Sequence, residues 1–135
     1  VEEEETLAGD GELILLVDDE AAVREISRMS LEANGYRVLV ASDGAEAVAT
    51  YAQRQSEIDL VITDIDMPLM GGQAMVHAIR RINPGVKVIG SSGTSESSKL
   101  GHLKETGFDD FLSKPYPVQA LLKTIKEVLE SRARE

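Results

Sequence analysis

Five polar residues, each at the end of a short apolar run, constrain this chain more than any other feature. Leu13-Ile14-Leu15-Leu16-Val17 leads into Asp18 and Asp19, and Leu60-Val61-Ile62-Thr63 into Asp64. Val86-Lys87-Val88-Ile89 runs toward Ser92, and Phe108-Asp109-Asp110-Phe111-Leu112 toward Lys114. Near-continuous apolar runs of this length are the strands of a parallel sheet buried on both faces. Ligands of such a sheet bind in the crevice beyond the carboxyl ends of the strands, so residues that follow four strands can converge on one site. Singly, each has a structural explanation, because Asp, Ser and Lys-Pro are ordinary turn and cap residues. Four strand ends filled this way read together as one active site.

The segments between the runs carry helical periodicity. Glu20 to Asn34 places Val23, Ile26 and Leu31 on one face, and Asn34-Gly35 ends the helix through a left-handed glycine. Tyr36 to Ala41 is a second strand. Asp43-Gly44-Ala45-Glu46 has capping-box spacing, and Ala45, Val48, Ala49 and Ala52 then repeat at i, i+3, i+4, i+7. After the third strand, Ile58 to Thr63, a loop containing Met67-Pro68-Leu69-Met70-Gly71-Gly72 opens a helix with Met75, Ala78, Ile79 and Ile82 inward, closed by Pro84-Gly85. Val86 to Ser91 is the fourth strand. A Ser-rich segment follows, then a weak fourth helix carrying Leu100 and Leu103, in which Gly101 costs about 1 kcal/mol relative to Ala. Phe108 to Leu112 is the fifth strand, and from about Pro117 a stripe of Val118, Leu121, Leu122, Ile125, Val128 and Leu129 marks the last helix. Five strands alternating with five helices predict an α/β fold: a doubly wound five-stranded parallel sheet with right-handed crossovers and helices on both faces.

A chain of 135 residues has the size of one domain. Glu2 to Glu5 and the polar residues after them read as an acidic leader or linker over 1–11, poorly ordered, because blocks of like charge repel. Residues 12–131 form the folded domain, with 132–135 as a C-terminal tail. Val1 in place of Met points to a segment cut from a longer chain. The net charge of -10 argues against a basic surface for nucleic acid, and no apolar run has the length of a membrane span. Absence of cysteine removes disulfides and thiolate metal sites, and together with the lack of a signal peptide it fits a cytoplasmic setting. His77 and His102 read as surface helix residues.

The electrostatics of the five residues ask for a cation. Two unit charges 4 Å apart interact by about 4 kcal/mol at an effective dielectric near 20, so Asp18, Asp19 and Asp64 cannot cluster ionised unaided. Either one is protonated or a metal sits between them. Carboxylates without His or Cys suit a hard ion, and Mg2+, with Mn2+ as the alternative, fits a site that also takes phosphate oxygens. A transferring phosphoryl group spreads its charge over three oxygens, for which the metal, the Lys114 ammonium and the Ser92 hydroxyl provide partners. Asp64 is then the nucleophile, accepting the group as an aspartyl phosphate.

At these residues the chain closely resembles the receiver domain of two-component response regulators. The matching pieces are Leu16-Val17-Asp18-Asp19-Glu20, Thr63-Asp64-Ile65-Asp66-Met67-Pro68-Leu69-Met70-Gly71-Gly72, Ser92-Gly93 and Lys114-Pro115. The resemblance implies the flavodoxin-like receiver fold, with strand order 2-1-3-4-5. It implies that Asp64 is phosphorylated from a phosphohistidine of a sensor histidine kinase or phosphotransfer domain. Asp18, Asp19, Asp64 and the backbone carbonyl of Asp66 would hold Mg2+. Ser92 would be the switch hydroxyl, Phe111 the switch aromatic, and Lys114-Pro115 would carry a cis peptide bond. Gly93, Thr94, Pro115 and the Asp66 side chain would border the site, Asp66 tuning the phosphoryl lifetime. Phosphorylation adds about -1.5 to -2 charge and would draw Ser92 inward, repacking the face of the fourth helix, fifth strand and fifth helix for a partner or a homodimer. The chain would then be a signalling switch, not an enzyme, although it assists its own phosphorylation and dephosphorylation.

Two other classes share parts of the pattern. Asp64-Ile65-Asp66 suggests a phosphatase of the haloacid-dehalogenase kind, but the aspartate pair of those enzymes follows the first strand. A flavodoxin-like cofactor binder would offer hydroxyls and backbone donors where Asp18-Asp19-Glu20 offers repulsion. The acidic leader and the Ser92-Gly93 form of the fourth loop favour the receiver of a hybrid sensor kinase over a single-domain shuttle.

Overall fold

The apolar runs become strands because only a sheet covered on both sides buries every side chain of such a run. The computed structural model describes residues 7–67, 70–93 and 107–131. Its strands are β1 (Leu13–Val17), β2 (Arg37–Ala41), β3 (Ile58–Asp64), β4 (Val88–Ser92) and β5 (Asp110–Ser113). All pairings are parallel and the order is β2-β1-β3-β4-β5, as the family resemblance implied. Four helices lie among the described residues: α1 (Ala21–Ala33), α2 (Gly44–Arg54), α3 (Gly72–Ile82) and α4 (Val118–Glu130). The weak helix expected around Leu100 and Leu103 falls outside them, so α4 is the last of the predicted helices.

Alternation along β1 divides the core. Leu13, Leu15 and Val17 point into a cluster with Ala47 and Tyr51 of α2 and Met75, Val76 and Ile79 of α3. Ile14 and Leu16 point the other way, onto Leu31 of α1 and Leu121, Leu122, Ile125 and Val128 of α4. Every residue of β1 and β4 is buried. The helix starts follow local chemistry. Asp43 accepts a hydrogen bond from the Glu46 amide at 2.8 Å, while the Glu46 carboxylate accepts from the Ser42 amide at 2.7 Å, so the predicted cap forms with its reciprocal bond one residue upstream.

One predicted face differs. Along α1 the buried residues are Ser27 and Leu31, whereas Ile26 is 66% exposed. Val23, Ser27 and Leu31 are spaced i, i+4, i+8, which keeps one face, and Ile26 lies off it. Ser27 tolerates the inward position because its hydroxyl lies 3.3 Å from the Tyr116 hydroxyl. Beyond α1, Gly35 adopts φ +94°, the left-handed conformation expected after the helix.

The expected boundary at residue 12 is also crossed by ordered contacts. The Gly9 amide donates to the Asn34 carbonyl and the Gly11 amide to the Gly35 carbonyl, both at 2.7 Å, and Leu7 packs against the second cluster. Residues 1–6 and 132–135 lie outside the described residues.

Gly72 sets the approach of α3 to the functional end of the sheet. A Cβ there would fall 2.7 Å from the Asp64 carbonyl oxygen and 2.9 Å from the Ile65 Cα, neither of which can yield without moving β3. Gly72→Ala is therefore expected to destabilise the fold by about 1–3 kcal/mol despite the better helix propensity of Ala. Urea unfolding measures this, with Gly85→Ala, which meets only a contact of 3.5 Å, as the near-neutral control.

Candidate functional site

The predicted residues meet at the carboxyl end of the sheet. Asp18 follows β1, Asp64 is the last residue of β3, Ser92 the last of β4, and Lys114 follows β5. One carboxylate oxygen from each of Asp18, Asp19 and Asp64 lies within 4.8 Å of the others. Asp18 and Asp64 are buried and Asp19 is exposed. Lys114 Nζ donates to Asp18 Oδ2 at 2.8 Å and to Asp64 Oδ2 at 3.1 Å, and lies 3.9 Å from Glu20 Oε1.

Backbone amides steady the same carboxylates. The Glu20 amide donates to Asp18 Oδ1 and the Asp66 amide to Asp64 Oδ1, each at 2.9 Å and each two residues along, as aspartates favour in turns. Burial pushes the Asp64 carboxyl above the usual carboxylate range, and the neighbouring Asp18 charge adds to this, although the Asp66 amide and Lys114 pull it down. Burial alone would lower the Lys114 ammonium, but its hydrogen bonds to Asp18 and Asp64 outweigh that and hold its pKa above the ordinary value.

A cleft of about 330 Å³, lined by Asp19, Glu20, Asp64, Asp66, Gly93 and Lys114, gives access to these groups. Three carboxylates face one close ammonium, so the ionised set keeps an excess of negative charge that suits a divalent cation. The donors are all oxygens, the chemistry Mg2+ prefers. The residues present therefore fit a hard divalent ion.

The other predicted residues are placed as follows. Ser92 is buried and its hydroxyl donates to Asp66 Oδ2 at 2.8 Å, while its carbonyl accepts from the Lys114 amide at 2.8 Å. The Asp66 side chain is exposed. Phe111 is half-buried, its ring 5.3 Å from that of Phe108, on the α2 and α3 side of the sheet. Lys114-Pro115 is a cis peptide bond, and Pro115 is exposed. Thr94 and the fourth helix lie outside the described residues.

Sequence reasoning missed two features. Arg24 Nη1 donates to the Asp18 carbonyl at 2.6 Å and so holds the turn after β1; no sequence pattern marks that contact six residues back. A second, apolar cleft of about 430 Å³ adjoins the first and shares Glu20, Gly93 and Lys114 with it. Val23, Ile26, Pro115 and Tyr116 line it. Its signal was the apolar Val23 and Ile26, read as core.

Replacing Lys114 leaves buried carboxylates uncompensated. Lys114→Met is expected to cost about 3–5 kcal/mol in urea unfolding without divalent metal, and a second change, Asp64→Asn, to recover part of that loss. Asp64→Asn alone should raise the metal-free melting temperature at neutral pH. The folded state holds the Asp64 proton more tightly than the unfolded state, so the ionised carboxylate penalises the fold above its raised pKa. The penalty, and with it the advantage of Asn, should vanish as pH falls below the ordinary 3.8. Thermal melts across pH in chelator read this difference directly.

Comparisons with known proteins agree with this geometry. The sequence profile of the response regulator receiver domain matches residues 14–126. The chain is 35% identical over 119 residues to the sensor kinase CckA of Brucella abortus, covering 88% of this chain and 13% of the kinase. A receiver domain protein from Clostridium thermocellum superposes with a TM-score of 0.83 at 30% identity, covering 87% of this chain and 94% of that one. The receiver domain of the hybrid histidine kinase CckA superposes with a TM-score of 0.74 at 35% identity, covering 87% and 99%. The chain spans 13% of the length of the Brucella kinase and 50% of that of the Mycobacterium response regulator MprA, to which it is 34% identical. Nothing in these matches supports the haloacid-dehalogenase alternative, and Asp64 ends the third strand, not the first. With the five-stranded order, the gathered aspartates and the profile match all in agreement, the chain belongs to the response regulator receiver domain family of two-component signalling.

Proposed function

We propose that this receiver domain takes a phosphoryl group onto Asp64 from a phosphohistidine of a sensor histidine kinase or phosphotransfer domain. One observation carries the assignment: Asp64 is the carboxylate at the end of β3 that opens on the cleft and also meets Lys114, with Oδ2 3.1 Å from Nζ. Transfer breaks the bond between phosphorus and the imidazole nitrogen and forms one to an Asp64 oxygen, the imidazole leaving with the electron pair. Because the transferring group needs positioning and charge compensation more than covalent chemistry, residues at fixed strand ends suit the task.

Asp18, Asp19, Asp64 and the Asp66 carbonyl would hold Mg2+, with Mn2+ as an alternative, and Mg2+ when bound supplies charge neutralisation to the phosphoryl oxygens. Lys114 gives a second cationic contact and Ser92 a hydroxyl, while Gly93 and Pro115 border the site. Phe111 is the aromatic that repacks when Ser92 moves. The domain is in this reading a switch that assists its own phosphorylation and dephosphorylation, working in the cytoplasm. The apolar cleft beside the acceptor supports a protein donor, since a partner's helix can bury an apolar face there while presenting its histidine to Asp64.

Incubation with acetyl phosphate and Mg2+ followed by mass measurement is expected to add one phosphoryl group to the wild type and none to Asp64→Ala. Labelling of the variant at the wild-type rate would remove Asp64 from this role. Without phosphodonor, Mg2+ at about 100 times its Kd should stabilise the wild type by about 2.7 kcal/mol, and Asp18→Asn far less, as read by thermal melts.

A further inference from the structure

The groups around Asp64 form a closed circuit of hydrogen bonds. Asp64 Oδ1 accepts from the Asp66 amide, Asp66 Oδ2 accepts from the Ser92 hydroxyl, the Ser92 carbonyl accepts from the Lys114 amide, and Lys114 Nζ donates to Asp64 Oδ2. Both oxygens of the acceptor carboxylate are therefore engaged. A phosphoryl group entering on either one brings further acceptor oxygens that compete for these donors.

The links respond unequally. The Asp66 amide and the Lys114 ammonium are donors, so each can turn from the carboxylate to a phosphoryl oxygen. The Asp66 carboxylate is an acceptor carrying the same sign of charge as the incoming group, which brings about -1.5 to -2. Ser92 has one hydroxyl proton to give, and here it is given to Asp66. The hydroxyl cannot donate that proton to the carboxylate and to a phosphoryl oxygen at once.

We propose that the Asp66 side chain is a latch: it holds the Ser92 hydroxyl in the unphosphorylated state, so that phosphorylation of Asp64 must win Ser92 away before the switch can turn. This rests on Asp64 being the acceptor. Asp66 acts through Ser92 and is a positioning residue, distinct from its backbone carbonyl, which faces the metal in the reading above. Ser92 is buried at the end of an inner strand and Asp66 is exposed on the loop after β3, so the latch ties a buried hydroxyl to a carboxylate at the surface. Release frees the Ser92 hydroxyl proton for a phosphoryl oxygen on Asp64.

The test is titration with beryllium fluoride and Mg2+, a phosphoryl mimic, followed by amide NMR. Six proteins are compared: wild type, Asp66→Ala, Asp66→Asn, Ser92→Ala, the Asp66→Ala/Ser92→Ala double variant and Asp64→Ala. Asp66→Ala should bind the mimic about tenfold more tightly than wild type, the fold-change of one hydrogen bond to a charged group. Asp66→Asn, which keeps an acceptor without the charge, should fall between the two. In the Ser92→Ala background the change at Asp66 should shrink to less than about twofold, because no hydroxyl remains to hold. A full tenfold gain persisting there would mean that Asp66 acts by repulsion alone and would overturn the latch, as would unchanged affinity in Asp66→Ala. Uptake by Asp64→Ala equal to that of wild type would instead overturn the acceptor assignment.

Discussion

A single ammonium between two buried carboxylates sets the terms for the site. Lys114 follows β5, whereas Asp18 follows β1 and Asp64 ends β3, so β4 separates the cation from Asp64, and β4 and β3 separate it from Asp18. Strands are spaced about 4.8 Å apart, and reaching across two of them takes a long side chain. Lysine has the length and delivers its charge as a compact point, which can serve two carboxylates together. The short connection from β5 and the bond from the Lys114 amide to the Ser92 carbonyl fix the base of that side chain.

The charge imbalance around Lys114 links stability to function. One ammonium is enough to let two carboxylates be buried and not enough to neutralise a third. Burial, with a smaller push from the Asp18 charge, raises the pKa of Asp64, and a divalent ion beside the carboxylate would oppose that rise. An acceptor that is costly to keep ionised yet well supplied with hydrogen-bond donors is primed to exchange partners. Hydrophobic packing supplies the rigidity against which this works, since both sheet faces are filled by alternating side chains of the same strands.

Much of this was legible before any coordinates. Parallel strands end in chemistry, so Asp18, Asp64, Ser92 and Lys114 could be assembled from their positions after apolar runs alone. Strand edges were less so. The fifth strand begins at Asp110 instead of Phe108, because the Asp109 carboxylate takes the Val88 amide at 2.7 Å and leaves the ladder to start two residues later than expected. Apolar identity misled along α1, where Ile26 was read as core and lines an outer cleft, while Ser27 turned inward to a tyrosine hydroxyl. The pairing of Ser92 with Asp66 left no trace in the sequence, since 26 residues separate them and nothing in either local pattern names the other.

Strand β4 is anchored at both ends by polar contacts of different kinds. Just before it, Lys87 Nζ donates to the carbonyls of Leu129 and Ser131, each at 2.8 Å, at the close of α4. At its other end Ser92 joins the circuit around Asp64. An inner strand cannot slide without breaking ladders on both sides, so its five residues act as a gauge about 17 Å long. The close of the last helix and the acceptor carboxylate are thus spaced by a fixed rule, at opposite poles of the sheet, with one strand as the measure.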